Sequence, residues 1–457
     1  MKRTTYLLVL ALLGFISCKN EPTTAPVVET TDTTVYATFP EWSRNATIYE
    51  VNLRQYTPSG TFNEFATHIP RLKAMGVDIL WLMPVFEIGE KNRKGSLGSY
   101  YSVKDYLQVN PEHGTVEDLR NLVAQVHAAG MYLILDWVPN HTSWDHAWTT
   151  QHPDWYMKDD KGNFKPPVAD WEDVIHLDYS NKEMRQAMID AMKYWIVECD
   201  IDGYRCDVAH MIPVDFWNDC RQQLNKTREV FMLAEAEIPV QHSAFEMSYA
   251  WKFHGLLNEI AKGEKNASAI DEYYATWEND TFPEYAYRMQ FITNHDENSW
   301  SGTEFERMGD GYKTFAVLAL TLPGMPLLYT GQEVGLNRRL KFFEKDVIEW
   351  KEHPDAAFYT TLLKFNKENP AMWNGEYGGK MTKINNEKSE DVYTFFTEKE
   401  NNKVLVMVNL SAEEQTFSCE GDAHTGSYKD VFTGESVEIK PAESYTLAPW
   451  GYRLLSK

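Results

Sequence analysis

Thr115-Val-Glu-Asp-Leu-Arg-Asn-Leu-Val-Ala-Gln-Val-His-Ala-Ala-Gly130-Met-Tyr-Leu-Ile-Leu-Asp136 reads as a helix, a stop and a strand in one pass. Thr115-Val-Glu-Asp118 has the form of a capping box, in which a hydroxyl and a carboxylate satisfy the first free amides of a helix. The helical period runs to Ala129 and stops at Gly130, a residue suited to the left-handed turn that ends helices. Met131–Asp136 is then a short apolar run, the mark of a buried strand.

The same unit recurs on both sides. Candidate strands are Thr47–Asn52, Asp78–Leu82, Met131–Asp136, Asp202–Asp207, Val230–Glu235, a weak one near Phe245–Tyr249, Arg288–Thr293 and Pro326–Thr330. Between them the period becomes helical: Phe62–Met75 carries Phe65, Ile69 and Leu72 on one stripe and stops at Gly76. Ser180-Asn-Lys-Glu183 opens a second box ahead of Met184–Glu198. Eight such alternations predict an α/β fold, a (β/α)8 TIM barrel with an outer ring of helices. An open doubly wound sheet is the rival, but no Gly-rich phosphate fingerprint follows the first strand.

One connection is too long for an ordinary barrel loop. Residues 141–179, with Trp144, Trp148, Trp155 and Trp171, form a polar, aromatic-studded insertion after strand three, where such loops take about 2–6 residues. After about Glu376 the pattern becomes short β runs such as Val392–Phe396 and Val404–Leu410. This predicts a C-terminal antiparallel β-sandwich domain over 376–457, with the catalytic barrel over 40–375.

The N-terminus has cations at Lys2 and Arg3, an apolar run from Tyr6 to Ile16, then Ser17-Cys18. Residues 1–18 read as an export signal, too short to span a membrane as a helix. A small residue before Cys18 is similar to the lipobox of bacterial lipoproteins, which implies lipidation of Cys18. Residues 19–39, rich in Thr, Pro, Glu and Val, read as a flexible tether. The expected location is outside the cytoplasm, on the outer membrane through a lipid anchor, facing the periplasm or the cell surface. The other four cysteines, Cys199, Cys206, Cys220 and Cys419, show no metal-like spacing and are expected as buried thiols.

With 44 Lys and Arg against 67 Asp and Glu the net charge is −23, and no basic stretch exceeds Lys91–Lys94. Binding to nucleic acid is therefore not expected, because it needs clustered cations. Aromatic residues make up 14% of the chain. Most are expected to pack cores, while some could form stacking platforms for an uncharged, ring-shaped ligand such as a sugar.

In a TIM barrel the functional groups sit where strands end. Those positions here read Asp136-Trp-Val-Pro-Asn140-His141, Gly203-Tyr-Arg205-Cys-Asp207, Phe231-Met-Leu-Ala-Glu235 and Phe291-Ile-Thr-Asn294-His295-Asp296. Asp207, Glu235 and Asp296 follow strands four, five and seven, and so converge over the barrel mouth. Converging carboxylates either chelate a hard cation or divide the labour of glycoside cleavage between a protonated acid and an ionised nucleophile. Arg205, on the face of Asp207, favours the second use by repelling a metal and holding Asp207 ionised. Glu235 follows an apolar run expected to raise its pKa toward acid duty. Glu237, two residues on, competes for that role.

The four segments, in this order and on these strands, resemble the short sequence regions of the α-amylase family, family 13 of the glycoside hydrolases. Gly76-Val-Asp-Ile-Leu-Trp-Leu-Met-Pro84, Tyr101-Ser-Val-Lys-Asp-Tyr106 and Gly324-Met-Pro-Leu-Leu-Tyr-Thr-Gly-Gln-Glu333 match as well, and the likeness covers about residues 40–457. It implies Asp207 as the nucleophile of a retaining reaction, Glu235 as acid and then base, and Asp296 as a stabiliser of the distorted sugar. It further implies that His141 and His295 bond that sugar, that Arg205 orients Asp207 and that Tyr101 stacks beneath. His210 is implied on the leaving-group side.

The chain departs from the family pattern in places. The calcium site of many α-amylases takes a His four residues past the nucleophile, where this chain has Met211, a poor ligand for a hard cation. No cofactor is expected to be required. Ser102, where exo-acting α-glucosidases often carry Asp, weakens an exo reading, and no extra N-terminal β domain of the cyclodextrinase type is expected. The resulting expectation is endo-acting cleavage of α-1,4 bonds in a starch-like α-glucan or maltooligosaccharide. Neopullulanase-like, α-glucosidase-like or transglycosylase action on the same scaffold is the alternative, and a silent glycan-binding protein a further one.

Overall fold

The computed structural model describes residues 34–457. The export signal, Cys18 and most of the tether lie outside the described residues. From Tyr36 onward the stretch read as tether is already fastened to the barrel: the amides of Tyr36 and Ala37 donate to the Ser243 carbonyl at 2.6 and 3.1 Å, and that of Thr38 to Glu246 Oε1 at 2.9 Å.

Eight parallel strands close into a barrel: β1 (Ile48–Val51), β2 (Ile79–Leu82), β3 (Tyr132–Trp137), β4 (Gly203–Cys206), β5 (Phe231–Ala234), β6 (Met247–Tyr249), β7 (Tyr287–Gln290) and β8 (Met325–Tyr329). The ring runs β1-β8-β7-β6-β5-β4-β3-β2, so that β1 pairs with both β2 and β8. Side chains alternate across it. Ile48, Ile79, Trp81, Ile134, Leu233, Tyr249, Met289 and Leu327 fill the inside, while Tyr49, Leu80, Leu133 and Met232 meet the helices outside. Gly203 is required by close approach: a Cβ there would stand 1.8 Å from the Phe231 carbonyl oxygen.

The helix expected over Phe62–Met75 is two, Phe62–Ala66 and Ile69–Met75. Pro70 has no amide hydrogen and its ring clashes with the carbonyl four residues back, so the chain breaks and restarts there. Gly76 ends the second piece in the left-handed region at φ 98°. Thr115 and Asp118 form the capping box of Val116–Ala128. At the next helix the cap shifts by one residue. Asn181, not Ser180, accepts from the amides of Glu183 and Met184 at 2.9 and 3.1 Å, and the helix runs Lys182–Cys199; Ser180 is occupied in a turn, its amide on Asp178 Oδ1.

Two excursions build the upper face. An antiparallel pair, Phe86–Ile88 with Val103–Val109, follows β2 and was not legible in sequence; Tyr101 lies on its connecting loop. Between β3 and β4, His141–Ser143 pairs antiparallel with Val174–His176 and closes the insertion at its base. At the C-terminus lie a six-stranded antiparallel sheet and a two-stranded one, Gln415–Ser418 with Ser444–Leu447. Leu405 and Leu455 of the first and Phe417 and Leu447 of the second share one core. Cys199, Cys206, Cys220 and Cys419 are buried free thiols, and among the described residues no helix is long and apolar enough to cross a membrane.

Candidate active site

Arg205 is the hub of the barrel mouth. It sits inside β4, fully buried, opposite Asp136 of β3 and Leu233 of β5 in register. Its Nη1 donates to Asp136 Oδ1 at 2.9 Å and to Asp207 Oδ1 at 3.1 Å. Nε donates to the Tyr249 hydroxyl at 3.1 Å, and Nη2 lies 3.0 Å from Glu235 Oε2 as an ion pair off the hydrogen-bond axis. One guanidinium thus serves three carboxylates. Asp207 and Glu235 share the inward parity of Arg205 and Leu233, which places both on this fork.

This charge imbalance decides the protonation. Burial raises the Asp207 carboxyl well above its ordinary range, the charge of Glu235 adds to that, and Arg205 only partly offsets it. Burial likewise lifts Asp136 to about 6 against the pull of Arg205. Arg205 pulls Asp207 toward its ionised form, as expected, but its guanidinium is divided among three carboxylates. Nor does an apolar wall surround Glu235: its Oε2 accepts from the Val208 amide at 2.7 Å and faces Arg205.

Val208 pays an unusual backbone cost for that amide. Its φ of 38° and ψ of 42° lie in the left-handed region, where a β-branched residue is strained by about 1–3 kcal/mol. The turn follows Asp207 directly, so one local distortion both projects Asp207 and aims a donor at Glu235.

A second network adjoins the first. The Tyr101 hydroxyl donates to Asp136 Oδ2 at 3.0 Å, and His295 Nε2 lies 2.8 Å from the same hydroxyl. A phenol has one proton, so His295 Nε2 must donate to it. Nδ1 meets Glu50 Oε1 at 2.5 Å, so both ring nitrogens face acceptors and His295 is an imidazolium. Burial opposes that charge, but Asp296 and Glu50 outweigh it and raise the pKa to about 9. Asp296, with Oδ2 3.4 Å from Nε2, is more open to solvent than the others. His141 is the opposite case: burial, then the neighbouring His176, lowers it to about 3, and it stays neutral. Tyr101 stacks on His295 at 5.5 Å and 20°.

The structure therefore joins Asp207, Glu235, Asp296, Tyr101, Arg205 and His295 in one connected network, with His141 bonded to the backbone of Tyr101. His210 stands apart at the rim, exposed, with Nδ1 3.4 Å from the Glu235 carbonyl. Glu237 turns away. A tight turn from the Ala234 carbonyl to the Ala236 amide breaks the strand parity, and its carboxylate pairs with Arg288 at 2.6 Å outside the barrel. Of the insertion tryptophans, Trp155 is buried against His152, whereas half-buried Trp171 lies edge-on to His141 at 5.6 Å. Sequence reasoning assigned no role to Asp136, Glu50 and Val208. The signal for the two acids was an acid at an inward position of an otherwise apolar strand.

At the calcium position of many α-amylases this chain brings Asn140 and Met211. Asn140 offers a buried Oδ1 without a hydrogen-bond partner, but Ca²⁺ takes about 6–8 oxygens and Met211 supplies a thioether. Among the described residues no group of three or more His, Cys, Asp or Glu could hold a metal.

The family model for the alpha amylase catalytic domain matches residues 32–346. The chain belongs to the alpha-amylase family of glycoside hydrolases. Within that family it is 25% identical over 440 residues to Alpha-amylase MalA of Haloarcula japonica, covering 89% of this chain and 63% of MalA, so it spans less than two thirds of that relative. Among solved structures, the noncanonic maltogenic alpha-amylase AmyB of Thermotoga neapolitana superposes with a TM-score of 0.81 at 27% identity, covering 90% of this chain and 98% of AmyB. An alpha-amylase of Lactobacillus plantarum gives 0.80 at 29% identity, with 91% and 99% covered.

Proposed function

We propose that this alpha-amylase family member cleaves α-1,4-glucosidic bonds of starch-like α-glucans or maltooligosaccharides by an endo-acting, retaining route. The observation that carries the reading is the single Arg205 guanidinium that holds Asp207 at 3.1 Å and Glu235 at 3.0 Å, with Asp136 on the same fork. In the first step the Asp207 carboxylate bonds to the anomeric carbon while Glu235 gives its proton to the departing glycosidic oxygen. In the second, Glu235 takes a proton from water, whose oxygen bonds to the anomeric carbon as the Asp207 ester bond breaks. Asp296 accepts from the sugar hydroxyls, the imidazolium of His295 beside it supplies charge, and Tyr101 supplies a floor. His210 at the rim is placed to meet the leaving sugar.

Product analysis on starch, pullulan, cyclodextrin and short maltooligosaccharides tests this. Early mixed oligomers from starch support endo action, glucose alone from the outset rejects it, and new longer products point to transfer instead. Reducing-sugar release that persists in Asp207→Asn removes Asp207 as the nucleophile, and no release by the wild-type protein leaves a glycan-binding protein. Lipidation of Cys18 and anchoring to the outer membrane belong to the same proposal. Labelled palmitate entering the wild-type protein but not Cys18→Ala supports the anchor, and label absent from both removes it.

A further inference from the structure

Trp300 is the one aromatic ring among the large apolar side chains that the described residues leave exposed, at 55%. Its backbone forms a π-helical turn, Glu297–Ser301, directly after Asp296, closed by the Gly302 amide on the Glu297 carbonyl at 2.8 Å. Such turns are rare and recur at functional sites. This one is well tied down. The Glu297 amide donates to Asn294 Oδ1 at 2.8 Å, Asn298 Nδ2 to the Arg338 carbonyl at 3.2 Å, and the Leu340 amide to Asn298 Oδ1 at 2.9 Å. The indole is thus held open to water by a rigid frame, although burying it would be favourable.

The ring does not stand alone. Its centroid is 5.2 Å from that of Phe342, and Phe342 in turn lies 6.2 Å from Tyr101 at 18° and 6.4 Å from His295. A row of aromatic faces therefore runs from the floor of the cleft outward to Trp300. It starts at Tyr101 and His295, whereas His210, the residue read on the leaving-group side, meets the Glu235 carbonyl. The apolar face of a pyranose ring is the complement of an indole face.

We propose that Trp300, backed by Phe342, is an outer sugar-stacking subsite that takes a glucosyl unit beyond the one over Tyr101, on the side opposite the leaving group. The proposal rests on the α-glucan reading above. It makes the enzyme's preference for longer chains depend on this ring.

Calorimetric binding of a maltose-to-maltoheptaose series to Glu235→Gln, with and without Trp300→Ala, tests it. The affinity gained with chain length should shrink on removing the ring, with maltoheptaose bound about tenfold more weakly and Trp300→Phe retaining most of the gain. In the enzyme with Glu235 intact, Trp300→Ala should raise KM for maltoheptaose and leave kcat near its original value. Equal maltoheptaose affinity with and without the ring overturns the subsite, as does a fall in kcat at constant KM, which would make Trp300 a support for Asp296. If Glu235→Gln carrying Trp300 binds no maltooligosaccharide of any length, the α-glucan reading itself fails, and the subsite with it.

Discussion

His295 Nδ1 lies 2.5 Å from Glu50 Oε1, and both groups are buried inside the barrel. The pair accounts for an imidazolium beside the catalytic carboxyls. Asp296 and Glu50 lift His295 to about 9 from 6.5, against burial. Its share of stability is therefore complete below about 6.5 and is lost as pH rises through about 9. In Glu50→Gln the counter-ion goes and burial stays, so the imidazole should deprotonate earlier. The alkaline limb of the kcat/KM profile should move acidward by roughly a pH unit or more. An alkaline limb that does not move would show that His295 acts as a neutral ring.

Asp207 is expected to be a residue whose removal stabilises the fold. Burial and then Glu235 raise its pKa above 3.8, so its ionised form costs stability. That cost is absent below the unfolded value and grows as pH rises through the folded one. Asp207→Asn should melt higher than the parent at pH 7.5 and no higher near pH 4, while turnover falls by about 10³-fold or more. Thermal melts at the two pH values check this, and a variant that melts lower at pH 7.5 contradicts the charge argument.

Val208→Gly separates strain from function. Glycine adopts the left-handed region freely, so relief of the 38° φ offsets the loss of the small apolar side chain, and the melting temperature should change little. The amide that holds Glu235 Oε2 at 2.7 Å then sits on a looser chain. We expect kcat to fall about tenfold, with KM nearly constant. A kcat equal to that of wild type would separate the strained turn from catalysis.

The barrel was legible because its strands and helices obey local rules. Met131–Asp136 reads as apolar, Thr115 and Asp118 as a cap, and the acids at Asp207, Glu235 and Asp296 fall where strands end. What stayed hidden depends on neighbours distant in sequence. Phe62–Met75 keeps a helical stripe in spite of Pro70, so periodicity hid the break. Glu50 and Asp136 read as strand residues, and only closing the ring brings Glu50 to His295, 245 positions away. The proton balance of Asp207 could not be read from Arg205 alone, because Asp136 and Glu235 draw on the same guanidinium.

Arg205→Lys isolates the fork geometry from its charge. Lysine keeps one positive charge but has a single ammonium, whereas Arg205 reaches Asp136 and Asp207 from Nη1, Glu235 from Nη2 and Tyr249 from Nε. An ammonium in that buried position leaves at least one carboxylate unpaired. Loss of a buried partner costs about 3–5 kcal/mol, and Arg205→Ala should approach that figure. Arg205→Lys should lie between it and wild type in urea midpoint. Its kcat should nevertheless fall nearly as far as that of Arg205→Ala, because Asp207 and Glu235 are no longer set on one rigid plane. Urea titrations with parallel rate measurements test both halves. A lysine variant with wild-type kcat would mean that charge alone, without the planar fork, organises the two carboxyls.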